Sequence, residues 1–167
     1  MLTRNGWRLC AHPLFLDQLE RLVAAVERAR RADPAGWHGK ADARLLAALR
    51  DLMLERIPHD PLGPTFRQGN TLGAAHRHWL RAKFGGNRFR LFFRADSRAR
   101  VIVFAWVNDR DTLRKAGAAT DPYAVFARLL AGGNPPGAWI ALLDAATTAE
   151  AGRRLGAALG GGPEASE

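Results

Sequence analysis

The sequence lacks several features that would point to common classes of protein. Its 167 residues include a single cysteine, Cys10, which excludes an intrachain disulfide and a zinc site built from thiolates. No apolar run approaches the roughly 20 residues that a membrane-spanning helix needs. Residues 1–11 lack the apolar core of a signal peptide. We therefore expect a cytoplasmic protein with no membrane association, of a length that suits one domain.

Motifs of several enzyme classes are also missing. The two serines of the chain are expected in a turn and in the tail, which argues against a serine hydrolase. The Gly85-Gly86 pair is not followed by the lysine and hydroxyl residue of a phosphate-binding loop. The histidines lack metal-ligand spacing with carboxylates. His76 and His78 share one face of a predicted strand, which leaves metal binding or proton transfer as a minor alternative there.

What the sequence does have is positive charge concentrated in one segment. The chain carries a formal net charge of +9. Residues 76–115 contain 11 basic and three acidic side chains, whereas residues 116–167 contain three basic and five acidic ones. Such a local excess favours a binding site for a polyanion, which would be RNA, DNA or an acidic protein. The alternative is a solvated basic face in an arginine-rich chain.

Hydrophobic spacing predicts one domain over residues 1–160 and a flexible tail at 161–167. Residues 7–11 alternate in polarity, which is typical of a short strand. Later in the chain, Asp121 followed by Pro122 is typical of a helix start. The expected helices run to about residue 31, from about 39 to 57, from 122 to about 131 and from about 138 to 159.

A change to period-two spacing predicts a hairpin followed by a central strand. The hairpin strands are expected at residues 78–84 and 88–94, joined by a glycine-rich turn at 85–87. Residues 101–107 are apolar throughout, as in a strand at the centre of a sheet. The predicted fold class is therefore α+β, with two N-terminal helices packed on a small antiparallel sheet and with C-terminal helices.

Alternation along the hairpin gathers cations and aromatic rings on one face. The opposite, apolar set must face the helices, so this set is predicted to line an open surface. Its members are Trp79, Arg81, Lys83, Arg88, Arg90, Phe92 and Arg94. Like charges across a strand pair repel unless an anion lies between them, and guanidinium groups bind phosphate in a fork. The aromatic rings would stack on unpaired bases, which favours single-stranded RNA. The alternative is an edge hairpin whose charges discourage aggregation.

RNA carries its own nucleophile, the 2′-OH, so such a site could cut RNA with no metal or cofactor. The enzyme must remove the 2′-OH proton, stabilise the charged phosphorane and protonate the leaving 5′-oxygen. Arg81, Arg88 and Arg90 are expected to stabilise charge. Lys83 is expected to act as base or acid. Tyr123 is expected to orient a base or the phosphate or to carry a proton, with a role in the core as the alternative.

Further side chains are assigned to RNA binding on the same grounds. Trp79 and Phe92 are expected to stack on bases, and Arg94 to bind phosphate. Arg114 and Lys115 are expected to extend the phosphate contacts, unless they belong to a solvated turn.

Several short motifs occur in order along the chain. They are Asn5-Gly6-Trp7, Ala11-His12-Pro13, Phe66-Arg67-x-Gly69, Leu72-Gly73, Trp79-x-Arg81-x-Lys83-Phe84-Gly85, Arg88-Phe89-Arg90-Leu91-Phe92-Phe93-Arg94, Trp106-x-Asn108-Asp109, Thr112-Leu113-Arg114, Thr120-Asp121-x-Tyr123-x-Val125-Phe126 and Pro135-Pro136-x-x-Trp139. Any one of these motifs is weak, but the ordered set is specific and covers about residues 5–140. It resembles the YhaV toxins of the PrlF–YhaV type II toxin–antitoxin systems.

The resemblance implies a RelE-like fold and a metal-independent endoribonuclease that cuts messenger RNA, often on the ribosome. It also implies neutralisation by a PrlF-like antitoxin of the AbrB type. Arg81 and Lys83 fall at the family's key arginine and at the lysine that follows it. The departures from the family pattern are His76, His78 and the alanine-rich segment after Trp139.

Two other functions would use the same surface. A non-catalytic RNA-binding or ribosome-binding module predicts salt-sensitive RNA binding without cleavage. A DNA-binding regulator is a weaker alternative, because no helix-turn-helix pattern is evident in the sequence.

Overall fold

The computed structural model describes residues 1–160, which form a five-stranded sheet covered by helices. The strands are β1 (Thr3–Arg4), β2 (Trp7–Ala11), β3 (Leu80–Phe84), β4 (Phe89–Asp96) and β5 (Val101–Val107). The helices are α1 (Pro13–Ala32), α2 (Ala41–Asp51), α3 (Ile57–His59), α4 (Pro122–Ala131), α5 (Trp139–Ala146) and α6 (Ala149–Ala158). Within residues 1–160, none of the helices combines the length and apolar character that crossing a bilayer requires. The α+β class is confirmed, and the tail predicted at 161–167 lies outside the described residues.

The sheet is mixed, not antiparallel as the sequence predicted. Its strand order is β1-β2-β5-β4-β3, so the predicted central position of β5 is confirmed. The pairs β3–β4 and β4–β5 are antiparallel, but β2 runs parallel to β5, with Arg8 opposite Val101 and Ala11 opposite Phe104. Two long helices and the hairpin separate β2 from β5, which is ample for the crossover that parallel pairing needs. Alternation within one strand does not reveal the direction of its neighbour, so the expectation was wrong at this pair.

Helices cover both faces of the sheet. On one face α1, α2 and α6 enclose a core that includes Phe15 and Phe104. On the other face α4 and α5 enclose a second core that includes Trp79, Phe92 and Phe126. This second layer corrects the prediction of an open surface, because Trp79 and Phe92 are 0% exposed. The alternation placed these side chains on the right face, but α4 and α5 cover the end of that face where the aromatic rings lie.

The alanine-rich C-terminal segment forms two helices where the sequence predicted one over 138–159. Thr148 separates them, and its hydroxyl accepts a hydrogen bond from a backbone N–H in the first turn of α6. Helix α5 packs on the face of Trp79, whereas α6 packs on α1 and β2 on the other face. Arg154 of α6 forms ion pairs with Asp17 and Glu20 of α1. The segment is therefore an integral part of the fold.

Helix α6 should contribute to stability mainly through its buried side chains. Leu155 is 1% exposed in the core beneath α1, so Leu155→Ala should lower the free energy of unfolding by about 2–5 kcal/mol. Chemical denaturation would measure this as a lower midpoint at unchanged slope. Arg154→Ala is the matched control, because ion pairs near the surface contribute about 0–1 kcal/mol. Equal losses in the two variants would contradict the packing of α6 on α1 and β2.

Candidate functional site

Two guanidinium groups hold the hydroxyl of Tyr123, the single tyrosine of the chain. Arg81 donates from Nε to Tyr123 Oη at 3.0 Å, and Arg90 donates from Nε to the same oxygen at 3.1 Å. Arg81 lies on β3 and Arg90 on β4, with Arg90 opposite Lys83 in the strand register. Tyr123 reaches them from the first turn of α4. The hairpin and the helix thus meet at one phenol.

Backbone carbonyls fix both guanidinium groups around this phenol. Arg90 is 2% exposed, and its Nη1 donates to the carbonyls of Asn87 at 2.8 Å and Phe89 at 3.1 Å. Arg81 is partly exposed and donates from Nη1 to the carbonyl of Thr65 at 2.9 Å. A guanidinium group carries five N–H donors, of which these contacts use only some. These bonds hold both guanidinium groups in place without a ligand. Arg81 is the one that solvent, and therefore a ligand, can reach.

The environment makes the Tyr123 phenol more acidic than usual. Burial raises its pKa, but the hydrogen bonds from Arg90 and Arg81 and the positive charges of both side chains lower it by more, so the pKa is lowered overall. The N–H donors stabilise the phenolate in preference to the phenol. Because Oη already accepts two hydrogen bonds, its own proton is free to point to a third group. A phenol in this state is suited to proton transfer.

Arg114 covers the face of the Tyr123 ring and is held there by a buried carboxylate. Its guanidinium carbon lies 4.9 Å from the ring centroid, and its Nη1 lies 2.6 Å from Oδ1 of Asp121. Asp121 also accepts the backbone N–H of Lys115 at 2.8 Å and that of Tyr123 at 3.1 Å. The sequence indicated Asp121 as the cap of α4, which is confirmed. The structure adds that Asp121 also positions Arg114.

The remaining predicted cations lie at the exposed edge of this site. Lys83, Arg88 and Lys115 are exposed, and Arg88 donates to the carbonyl of Gly85 within the hairpin turn at 3.3 Å. A cleft of about 380 Å³ opens beside Tyr123. It is lined mainly by small side chains, together with Thr71, Leu72, Arg114 and Asp121. The site therefore combines a buried, ordered centre with a solvated cationic edge.

Three residues that we expected to bind RNA instead hold the C-terminal helices. Phe92 stacks on Phe126 of α4 with ring centroids 4.4 Å apart, and Trp79 meets the same ring edge-on at 5.0 Å. Arg94 lies between the rings of Trp79 and Trp139, and its Nη1 donates to the carbonyl of Gly137 at 2.8 Å. Neither Trp79 nor Phe92 offers a ring face to a base, so the expected stacking surface is absent.

His76 and His78 do not share a strand face as expected, because His76 ends a short 3-10 helix and both residues precede β3. Partial burial, followed by the positive charge of Arg94 and then by His76, lowers the pKa of His78. A histidine with a lowered pKa is neutral near pH 7. Across residues 1–160, no group of three or more His, Cys, Asp or Glu side chains is arranged to hold a metal ion.

Asn108 is a site residue that sequence analysis did not single out, although the pair Asn108-Asp109 belongs to one of the motifs that resemble the family. The side chain is 2% exposed and forms hydrogen bonds both to the start of β4 and to the loop before Arg114. Its Oδ1 accepts the backbone N–H of Arg90 at 2.6 Å, and its Nδ2 donates to the carbonyls of Arg88 at 3.1 Å and Thr112 at 2.8 Å. The sequence signal that could have indicated this role is an asparagine directly after a fully apolar strand.

Comparisons with known proteins identify the family. The model of a family described as a toxin with endonuclease activity, of a toxin–antitoxin system, matches residues 9–147. Toxin YhaV of Escherichia coli O6:H1 is 43% identical over 139 residues, which are 83% of this chain and 90% of the relative. Ribonuclease toxin YhaV of Escherichia coli K12 is 43% identical over 136 residues, 81% of this chain and 88% of the relative. No solved structure matches the chain.

The chain belongs to the YhaV toxin family, which consists of toxins with endonuclease activity that act in toxin–antitoxin systems. The resemblance that the ordered motifs indicated is therefore confirmed. The family match ends at residue 147, one residue after α5, so α6 lies beyond it.

Proposed function

We propose that this chain is a metal-independent endoribonuclease that cuts messenger RNA by attack of the RNA's own 2′-OH, and that it thereby inhibits translation and growth. The observation that carries the proposal is the phenol of Tyr123 held between Arg81 and Arg90 on a cationic hairpin. The name of the K12 relative, a ribonuclease toxin, supports RNA as the substrate.

In the proposed reaction the 2′-oxygen bonds to the adjacent phosphorus and the 5′-oxygen leaves. The products carry a 2′,3′-cyclic phosphate and a 5′-hydroxyl. Tyr123 delivers its proton to the leaving oxygen as general acid, and the phenolate that results is stabilised by Arg81 and Arg90. The same guanidinium groups stabilise the negative charge of the phosphorane. Lys83, exposed beside Arg90 on the hairpin, is proposed to accept the 2′-OH proton in its neutral amine form; after the cut it returns this proton to solvent, and the Tyr123 phenolate takes one up.

The exposed edge of the site would bind the RNA on either side of the cut. Arg88, Arg114 and Lys115 contact flanking phosphates, where several cations produce affinity that falls with salt. The cleft beside Tyr123 would receive part of a neighbouring nucleotide. Among the residues expected to bind RNA, Trp79, Phe92 and Arg94 would act indirectly, by holding α4 and α5 in place.

Membership of a toxin–antitoxin family implies an antitoxin partner. We propose that this partner is PrlF-like, with a DNA-binding domain of the AbrB type, and that cutting takes place in the cytoplasm, on messenger RNA at the ribosome. We further propose that residues 1–160 fold as one RelE-like domain. The succession of β2, two long helices and then the three strands β3 to β5 supports this arrangement.

The 2′-OH mechanism can be tested with a single chemical change in the substrate. The purified chain is incubated with free messenger RNA in excess chelator and, separately, with messenger RNA on ribosomes in magnesium buffer, and the ends are mapped in both reactions. We expect cleavage that leaves cyclic phosphate ends. A 2′-methoxy group on the nucleotide just 5′ of the mapped cut should abolish cleavage at that cut. Cleavage at other sites in the same RNA should be unaffected. Cleavage that persists at the methylated position would overturn the mechanism. Salt-sensitive binding without any cleavage would favour the non-catalytic RNA-binding module instead.

A further inference from the structure

The end of β5 is anchored by two amide side chains. Gln18 of α1 pairs with both backbone groups of Val107, accepting from its N–H at 3.1 Å and donating to its carbonyl at 2.7 Å. Val107 is the last residue of β5 and lies opposite Leu91 in β4. Beyond it the backbone bond from Asn108 to Arg90 is long, at 3.4 Å. At this point hydrogen bonds from the side chain of Asn108 replace the backbone pairing between β4 and β5.

The Asn108 amide uses both of its hydrogens and its oxygen inside the protein. Both Nδ2 hydrogens point to backbone carbonyls, those of Arg88 and Thr112, and Oδ1 accepts a short bond from the N–H of Arg90. Each of these backbone groups would be left without its partner if the amide were removed, which is costly in a buried environment. Only a side chain that donates twice and accepts once fits these three groups.

These three bonds connect the two parts of the site that act on Tyr123. Arg90 lies on β4 and contacts the hydroxyl, whereas Arg114 lies on the loop after Thr112 and covers the ring. The backbone N–H of Arg114 donates at 3.2 Å to the carbonyl of Arg88, which Asn108 also contacts. A single amide thus sets the distance between the strand that carries one guanidinium and the loop that carries the other.

We propose that Asn108 is a positioning residue that fixes Arg90 and Arg114 against Tyr123. The inference rests on the proposed role of Tyr123 for its effect on cleavage, but its effect on the phenol itself can be measured independently. Asn108→Asp keeps the size of the side chain and the oxygen that accepts from Arg90. It replaces the NH₂ group with a carboxylate oxygen, which cannot donate to the carbonyls of Arg88 and Thr112. Asn108→Ala removes all three bonds.

The single tyrosine makes the test direct, because absorbance of tyrosinate in the near ultraviolet reports Tyr123 alone. In wild type the phenol should titrate below the ordinary range of tyrosine, since Arg90 and Arg81 lower its pKa against the opposing effect of burial. In Asn108→Ala and Asn108→Asp the titration should move up toward that range. The kcat for RNA cleavage should fall about 10- to 100-fold, with little change in KM, because the exposed cations remain.

Gln18→Ala is the matched control. It removes an amide that anchors the neighbouring residue from the other face of the sheet, so it should lower stability without moving the Tyr123 titration or kcat. Should Asn108→Ala fail to fold, Asn108→Asp and Asn108→Ser take its place, and failure of all three would overturn a positioning role.

A wild-type titration curve and wild-type kcat in a folded Asn108 variant would also overturn the inference. Full activity of Tyr123→Phe would instead refute the proposed role of Tyr123. It would leave the titration shift in the Asn108 variants intact, so the two failures are distinguishable.

Discussion

Replacing Tyr123 with phenylalanine should lower kcat for RNA cleavage about 100- to 10,000-fold, the contribution that general acid catalysis typically makes. The substitution removes only the hydroxyl. The ring can keep its edge-on contact with Phe92 and its place beneath Arg114, so KM should change little. Loss of the acceptor for the buried Nε of Arg90 should lower stability by about 1–3 kcal/mol, which leaves the variant folded for the assay. Single-turnover cleavage of the same RNA by both proteins measures the effect. Cleavage by the phenylalanine variant within about twofold of wild type would remove Tyr123 from the mechanism.

The pH dependence of wild-type cleavage should reveal the same group. A general acid works in its protonated form, so the rate advantage of wild type over Tyr123→Phe is present below the pKa of Tyr123 and is lost as the pH rises through it. Burial raises that pKa, but the bonds and charges of Arg90 and Arg81 lower it overall, so the loss should occur below the ordinary tyrosine range. The measurement is therefore the ratio of the two cleavage rates across the pH range. A ratio that stays constant through that range would contradict the assignment of Tyr123 as acid.

The hairpin part of the site could be predicted from sequence because it depends on local alternation. Arg81 and Arg90 fall on the same face of two neighbouring strands, as their spacing indicated. The concentration of charge in residues 76–115 selected the right segment. The helix start at Asp121 was also a local signal, and it placed Tyr123 in a first turn. Contacts made within one element or between chain neighbours are the ones that such patterns can predict.

The second helical layer could not be predicted in this way. An aromatic ring on a polar strand face gives the same pattern whether it stacks on bases or receives a covering helix. Trp79 and Phe92 are covered by Phe126 of α4, which lies more than 30 residues away in the sequence. The parallel pairing of β2 with β5 is non-local in the same sense.

Asn108 was missed for a related reason. Its partners Arg88 and Arg90, at the start of β4, are brought to it by the strand register, and that register shifts at a bulge between Phe92 and Phe93. The sequence around Asn108 indicates a turn whether or not the amide reaches those partners. A buried amide with three backbone partners is visible only when the two strands are in place.

Removing the guanidinium of Arg81 should lower kcat/KM about 100- to 1,000-fold, as expected for the loss of one ordered donor to a developing negative charge. Arg81 is partly exposed and its backbone contact is a single bond to Thr65, so Arg81→Ala should barely change stability. Arg98→Ala is the matched control, because it removes the same charge from the exposed turn between β4 and β5. It should change cleavage by no more than a few-fold, through the general salt-dependent attraction of RNA.

Arg81→Lys separates geometry from charge in this prediction. The planar guanidinium of Arg81 donates from Nε to Tyr123 Oη and from Nη1 to the carbonyl of Thr65. A lysine keeps the positive charge, but its single ammonium group does not reproduce this pair of donors in one plane. We therefore expect Arg81→Lys to resemble Arg81→Ala more than wild type in cleavage rate. It should also raise the pKa of Tyr123 relative to wild type, since one of the hydrogen bonds that lower it is lost. Tyrosinate absorbance and cleavage should thus change together in this variant. Full recovery of cleavage with lysine would mean that position 81 supplies charge alone, and that the bond between Arg81 and Tyr123 is not part of the chemistry.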